Sequence, residues 1–123
     1  MEKVLIVDDN RASRDLIRAI LKTVHCDIIE AAHGQQALEL MQQERPDLIL
    51  LDIDMPGLNG LAVVKKIRED TSLADLPVVA VTAFAMERDR EKAMAAGFTA
   101  YVTKPVRAAM LRQRVQQLLG ARA

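Results

Sequence analysis

Two apolar runs in this chain end in acids. Val4-Leu5-Ile6-Val7 runs into Asp8 and Asp9. Leu48-Ile49-Leu50-Leu51 runs into Asp52, just before Ile53-Asp54-Met55-Pro56-Gly57. A carboxylate there ends a buried strand and begins a loop. If the two strands lie side by side, three acids converge at one edge of a sheet. Like charges so close raise one another's pKa unless a cation neutralises them. Three carboxylates favour a hard divalent ion, and Mg²⁺ with its octahedral oxygen shell and retained waters fits best. Thr82 ends a third apolar run, Val78–Val81, and Lys104 follows a weaker one, Ala100–Thr103. Metal, ammonium and hydroxyl together make a cradle for a phosphoryl group. A carboxylate inside such a cradle can act as nucleophile and form an acyl phosphate.

The chain must bring these residues to one edge. Its strong apolar runs are continuous rather than alternating, which marks strands covered on both faces, as in a parallel sheet. Asp27–Ala31 and Ala100–Thr103 are weaker strand candidates. Helical periodicity fills the intervals. Leu16, Ile17, Ile20, Leu21 and Val24 share one helical face, with Asn10 as N-cap. Ala37, Leu38 and Met41 mark a second helix, and Leu61, Val64 and Ile67 a third. Glu87–Ala96 is a fourth, stopped by Gly97. Val106, Met110, Val115, Leu118 and Leu119 mark a fifth. Strand and helix thus alternate five times, which predicts an α/β fold: a doubly wound five-stranded parallel sheet with right-handed crossovers and five helices. Ligands of such sheets bind outside the carboxyl ends of the strands. Asp8, Asp9, Asp52, Thr82 and Lys104 all fall at that edge.

The 123 residues suit one domain, 1–123, and no composition break divides them. The tail, Gly120–Ala123, is too short for an effector domain, and the start at Met1 favours a complete protein. With 17 basic and 17 acidic side chains the chain is formally neutral, which argues against direct nucleic-acid binding or attraction to an anionic membrane. Phe84, Phe98 and Tyr101 are the only aromatics, too few for a base-stacking platform. No run approaches the ~20 apolar residues of a membrane span. A single cysteine, Cys26, and the absence of a signal-peptide pattern read as cytoplasmic.

Asp8-Asp9, Asp52 followed by Met55-Pro56-Gly57, Thr82-Ala83 and Lys104-Pro105 resemble the signature of response-regulator receiver domains. The resemblance covers essentially the whole chain, in order and spacing. It is closest to single-domain receivers of the cell-cycle type and to receivers of hybrid histidine kinases. It implies the flavodoxin-like strand order 2-1-3-4-5. It also implies roles for the matching residues in a two-component phosphorelay. Asp52 accepts phosphate from a histidine kinase or a histidine phosphotransfer protein. Asp9, Asp52 and the backbone carbonyl of Asp54 ligate Mg²⁺, with Asp8 acting partly through water. Thr82 and Lys104 contact the phosphoryl oxygens. Tyr101 is the switch aromatic. On phosphorylation Thr82 moves toward the phosphate, Tyr101 rotates inward, and the face made by the fourth helix, fifth strand and fifth helix is remodelled for a downstream protein. The state is monomer or weak, phosphorylation-dependent dimer. A cis Lys104-Pro105 bond is expected. Asp54 and Phe84 are expected to set the phosphate's lifetime, Phe84 by obstructing an attacking water.

Plainer readings stand beside these. A receiver excised from a hybrid kinase is a close variant, and a degenerate receiver acting as a constitutive scaffold is another. Leu50-Leu51-Asp52-Ile53-Asp54 also resembles the nucleophile motif of haloacid-dehalogenase-type phosphatases. Those enzymes place that motif near the N-terminus and their acid pair late, whereas the pair comes first here. A receiver turns over no phosphomonoester and catalyses only its own phosphorylation and dephosphorylation. His25 and His33 are expected to lie far from the acidic edge, on the surface or in loops. Cys26 and the six methionines read as core or loop fillers. Glu87–Lys92 reads as a solvated helix face that could meet a partner.

Overall fold

The strand–helix alternation folds into a single five-stranded parallel sheet in the order β2-β1-β3-β4-β5. The computed structural model describes the backbone of residues 1–122 and the side chains of residues 1–120. The strands are β1 (Lys3–Val7), β2 (Asp27–Ala31), β3 (Leu48–Asp52), β4 (Val78–Thr82) and β5 (Ala100–Thr103). The helices are α1 (Arg11–Ile20), α2 (Gly34–Glu44), α3 (Gly60–Glu69), α4 (Glu87–Ala96) and α5 (Ala108–Arg122).

The continuous apolar runs have the cause expected of them. Leu5, Val7, Ile49, Leu51, Val78 and Ala80 enter one core layer, which Met41, Val63, Val64 and Ile67 complete from α2 and α3. Val4, Ile6, Leu48, Leu50, Val79 and Val81 enter the other, closed by Ile17 and Ile20 of α1 and Leu111, Val115 and Leu119 of α5. Successive strand residues alternate faces, and both faces are covered, so every position is apolar.

The helix termini follow local chemistry. Asn10 caps α1 by accepting from the Ser13 N–H at 3.0 Å, and Asn59 caps α3 through the Ala62 N–H at 3.0 Å. Gly97 ends α4 at φ +122°, a conformation costly for any residue with a Cβ.

Some assignments differ from expectation. Leu16 is 53% exposed, whereas Ile17 and Ile20 of α1 are buried; a tight 3-10 turn after Ile20 then carries Leu21 and Val24 into the core. Met110 is exposed too, and Val106 precedes α5; Leu111 is the buried residue there. Only Met41 and Met55 of the methionines are buried, and Met94 and Met110 lie exposed on helices. Residues 120–122 continue α5 rather than forming a tail, and Ala123 lies outside the described residues. No helix among the described residues is long and apolar enough to cross a membrane.

Candidate functional site

Strand register assembles the site. Val7 pairs with Leu51, which sets the next residues, Asp8 and Asp52, level on adjacent strands. Asp52 pairs with Val81 and Thr82 pairs with Thr103, so Thr82 and Lys104 follow in steps across the sheet. One carboxylate oxygen from each of Asp8, Asp9 and Asp52 lies within 4.8 Å of the others. Asp8 and Asp52 are buried and Asp9 is exposed. Gly60 permits this geometry: a Cβ there would come within 2.7 Å of the Asp52 carbonyl oxygen and 2.6 Å of Ile53 Cα. The start of α3 therefore presses directly on the Asp52 peptide.

Each buried acid has partners. Asp8 Oδ1 accepts from the Asn10 N–H at 2.8 Å, and its Oδ2 accepts from Lys104 Nζ at 3.1 Å. Asp52 Oδ1 accepts from the Asp54 N–H at 2.9 Å, and its Oδ2 lies 3.6 Å from Lys104 Nζ. Burial pushes the Asp52 carboxyl up; the Asp54 N–H opposes this, Asp8 adds to it, Lys104 opposes it, and the balance stands at about 6. For Lys104, burial works against the ammonium, but the hydrogen bond to Asp8 and the charges of Asp52 and Asp8 outweigh it and hold its pKa above the usual value. Asp8 and Asp52 share one ammonium and Asp9 stands beside them, leaving excess negative charge at a partly buried, all-oxygen site. That donor set fits Mg²⁺. Both Asp8 oxygens are already engaged, which suits an acid that would reach a metal through water.

Thr82 is fully buried, and its hydroxyl donates to Asp54 Oδ2 at 2.9 Å. The same oxygen accepts from the Ala83 N–H at 3.3 Å. Thr82 Oγ1 in turn accepts from the Phe84 N–H at 3.1 Å, and the Phe84 carbonyl accepts from the Tyr101 hydroxyl at 2.6 Å. Tyr101 already packs against the core layer. Burial, then the charges of Asp89 and Asp54, push its phenol up. The Phe84 ring is 56% exposed, and the hydrogen bonds Phe84 makes here come from its backbone. Lys104-Pro105 is cis, as expected.

Three features escaped the sequence reading. The Asp54 side chain holds Thr82, although only its backbone carbonyl was assigned a contact. Arg14 donates to the Asp8 carbonyl at 2.6 Å and to Glu30 Oε1 at 3.0 Å, fixing the β1–α1 turn. Arg14 and Arg18, four apart on α1, both bind Glu30 of β2, and that spacing was the available signal. His33 is not remote from the acidic edge, because it follows β2, whose Ala31 carbonyl accepts from the Asp8 N–H. It is a helix cap: its Nδ1 accepts from the Gln36 N–H at 3.2 Å.

Known proteins share this arrangement. The family model for the response regulator receiver domain matches residues 4–116. The polar-differentiation response regulator DivK of Brucella anthropi is 38% identical over 119 residues, covering 97% of both chains. The receiver domain of a sensor histidine kinase of Pseudomonas aeruginosa, solved with a magnesium ion coordinated in its active-site cleft, is 32% identical with a TM-score of 0.88, covering 97% of this chain and 98% of that one. Vibrio cholerae chemotaxis protein CheY4 is 29% identical with a TM-score of 0.89, covering 96% of this chain and 98% of that one. Receivers of this kind are signalling domains of two-component systems rather than conventional enzymes, which removes the phosphatase reading of Asp52 and Asp54. Its matched residues, strand order and acidic edge make this chain a member of the response-regulator receiver domain family.

Proposed function

We propose that Asp52 is the phosphoacceptor and that the chain works as a phosphorylation-switched relay protein. One observation carries this reading: Asp8, Asp9 and Asp52 converge within 4.8 Å, with Lys104 bridging the two buried acids. An Asp52 oxygen attacks phosphorus, the P–N bond to a donor histidine breaks, and the imidazole leaves with its electron pair. Asp9, Asp52 and the Asp54 carbonyl would hold Mg²⁺, and Asp8 would act through water. Bound there, the ion would neutralise charge on the phosphoryl oxygens. Lys104 supplies a second cation. Thr82 gives its hydroxyl to a phosphoryl oxygen, and Tyr101 carries the change to the face of α4, β5 and α5.

That face has a groove of about 470 Å³, lined by Ala85, Arg90, Tyr101, Pro105, Arg107 and Met110 among others. A downstream protein binds there, and a histidine kinase or phosphotransfer protein acts at the Asp52 end. Incubation with acetyl phosphate tests the reading. Mass spectrometry should find one added phosphoryl group, only with Mg²⁺ present and never in Asp52→Asn. Absence of labelling in wild type would leave a constitutive scaffold.

A further inference from the structure

We infer that the Asp54 carboxylate is a latch that holds Thr82 away from the phosphoryl site until Asp52 is modified. The inference rests on Asp52 being the phosphoacceptor. Its geometry, however, is independent of that role. A threonine hydroxyl has one proton to donate. Thr82 gives that proton to Asp54 Oδ2, while its oxygen accepts from the Phe84 N–H. A second donor, the Ala83 N–H, closes on the same Asp54 oxygen. One carboxylate oxygen therefore holds both the end of β4 and the first residue of the following loop.

This places two anions in competition for one proton. A phosphoryl group on Asp52 attracts the Thr82 hydroxyl, and Asp54 retains it. Switching must break a charge-assisted hydrogen bond, the stronger class of such bonds, between the buried Thr82 hydroxyl and the exposed Asp54 carboxylate. The consequence runs on through Thr82 to Phe84 and from the Phe84 carbonyl to the Tyr101 hydroxyl. Asp54 is thus a positioning residue. It sets how much of the binding energy of the phosphoryl group is spent on release, and hence how firmly the unmodified protein is held off.

The test is a titration with Mg²⁺ and beryllofluoride, a phosphoryl mimic, followed by the Ala83 and Phe84 amide resonances. Asp54→Ala should bind about tenfold more tightly than wild type. Asp54→Asn keeps an acceptor but loses the charge, and should fall between. Removing an acid near the site would also relieve simple repulsion of the mimic, so the titration is repeated in Thr82→Ala. A latch predicts that Asp54→Ala then gains almost nothing, because the proton being contested is gone. The same gain in both backgrounds would overturn the latch and leave only charge repulsion. An unchanged affinity in Asp54→Ala would overturn it as well. Failure of wild type to bind the mimic would instead overturn the phosphoacceptor reading, and the latch with it.

Discussion

Lys104 reaches Asp8 more closely than Asp52: its Nζ lies 3.1 Å from Asp8 Oδ2 and 3.6 Å from Asp52 Oδ2. The ammonium thus stands between the two buried acids and is shared rather than committed. On this account it draws closer to the phosphoryl oxygens once Asp52 is modified, and it limits acid–acid repulsion before then. Lys104→Met keeps the stem and removes the charge. Labelling by acetyl phosphate should slow by at least about tenfold, since a donor aimed at developing charge is lost. Urea unfolding of the metal-free variant should show a loss of about 1–3 kcal/mol. Wild-type labelling kinetics in Lys104→Met would contradict the assignment.

Asp52 makes the metal-free protein sensitive to pH. Its folded pKa of about 6 lies above the ~3.9 of a free aspartate. The folded state therefore holds the proton more tightly than the unfolded state. Its contribution favours folding fully below about pH 4 and is lost as pH rises through about 6. Asp52→Asn lacks that titration. Without metal it should gain on wild type by about 1–3 kcal/mol between pH 4.5 and 7.5. A stability difference that stays flat across this window would refute the assignment.

Gly60 is required by a contact rather than by its backbone angle. A methyl group there meets two backbone atoms, the Asp52 carbonyl oxygen and Ile53 Cα, neither of which can rotate away. Gly60→Ala should destabilise the fold by about 1–3 kcal/mol and shift the Asp54 amide resonance, which reports the hydrogen bond to Asp52. An Asp54 resonance left in place would show that α3 can retreat without disturbing the site.

Phe84 is the residue we propose to bear on the lifetime of the phosphate. Its backbone joins Thr82 to Tyr101, and its exposed ring sits on the loop that follows Thr82. If the ring obstructs water, Phe84→Ala should shorten the half-life of phosphorylated Asp52. A half-life equal to or longer than wild type would exclude that role.

The central strands β1, β3 and β4 were legible because burial on both faces leaves their interiors apolar, so the polar residue that follows marks the strand end; the edge strand β2, with Glu30 inside it, gave a weaker signal. That same rule located Asp8, Asp52 and Thr82. Helix faces were less legible. Leu16 has the spacing of a core residue but lies beside Ile17 at the rim of a small cleft with Lys104, Pro105 and Val106. Leu111 went unnoticed because its neighbour Met110 is equally apolar, and only docking of α5 separates them. The Asp54–Thr82 bond was out of reach for another reason. It joins side chains 28 residues apart, and it depends on strand register and on which of two carboxylates Thr82 faces. Residue types place acids at an edge, but they do not say which acid holds which proton.

The central claim is that Asp52 carries the phosphoryl group. Acetyl phosphate labelling in Mg²⁺, followed by borohydride, reduces an aspartyl phosphate to homoserine, which peptide mass spectrometry can locate. The account predicts homoserine at position 52 and nowhere else. Homoserine at position 8, 9 or 54, or none at all, would contradict it.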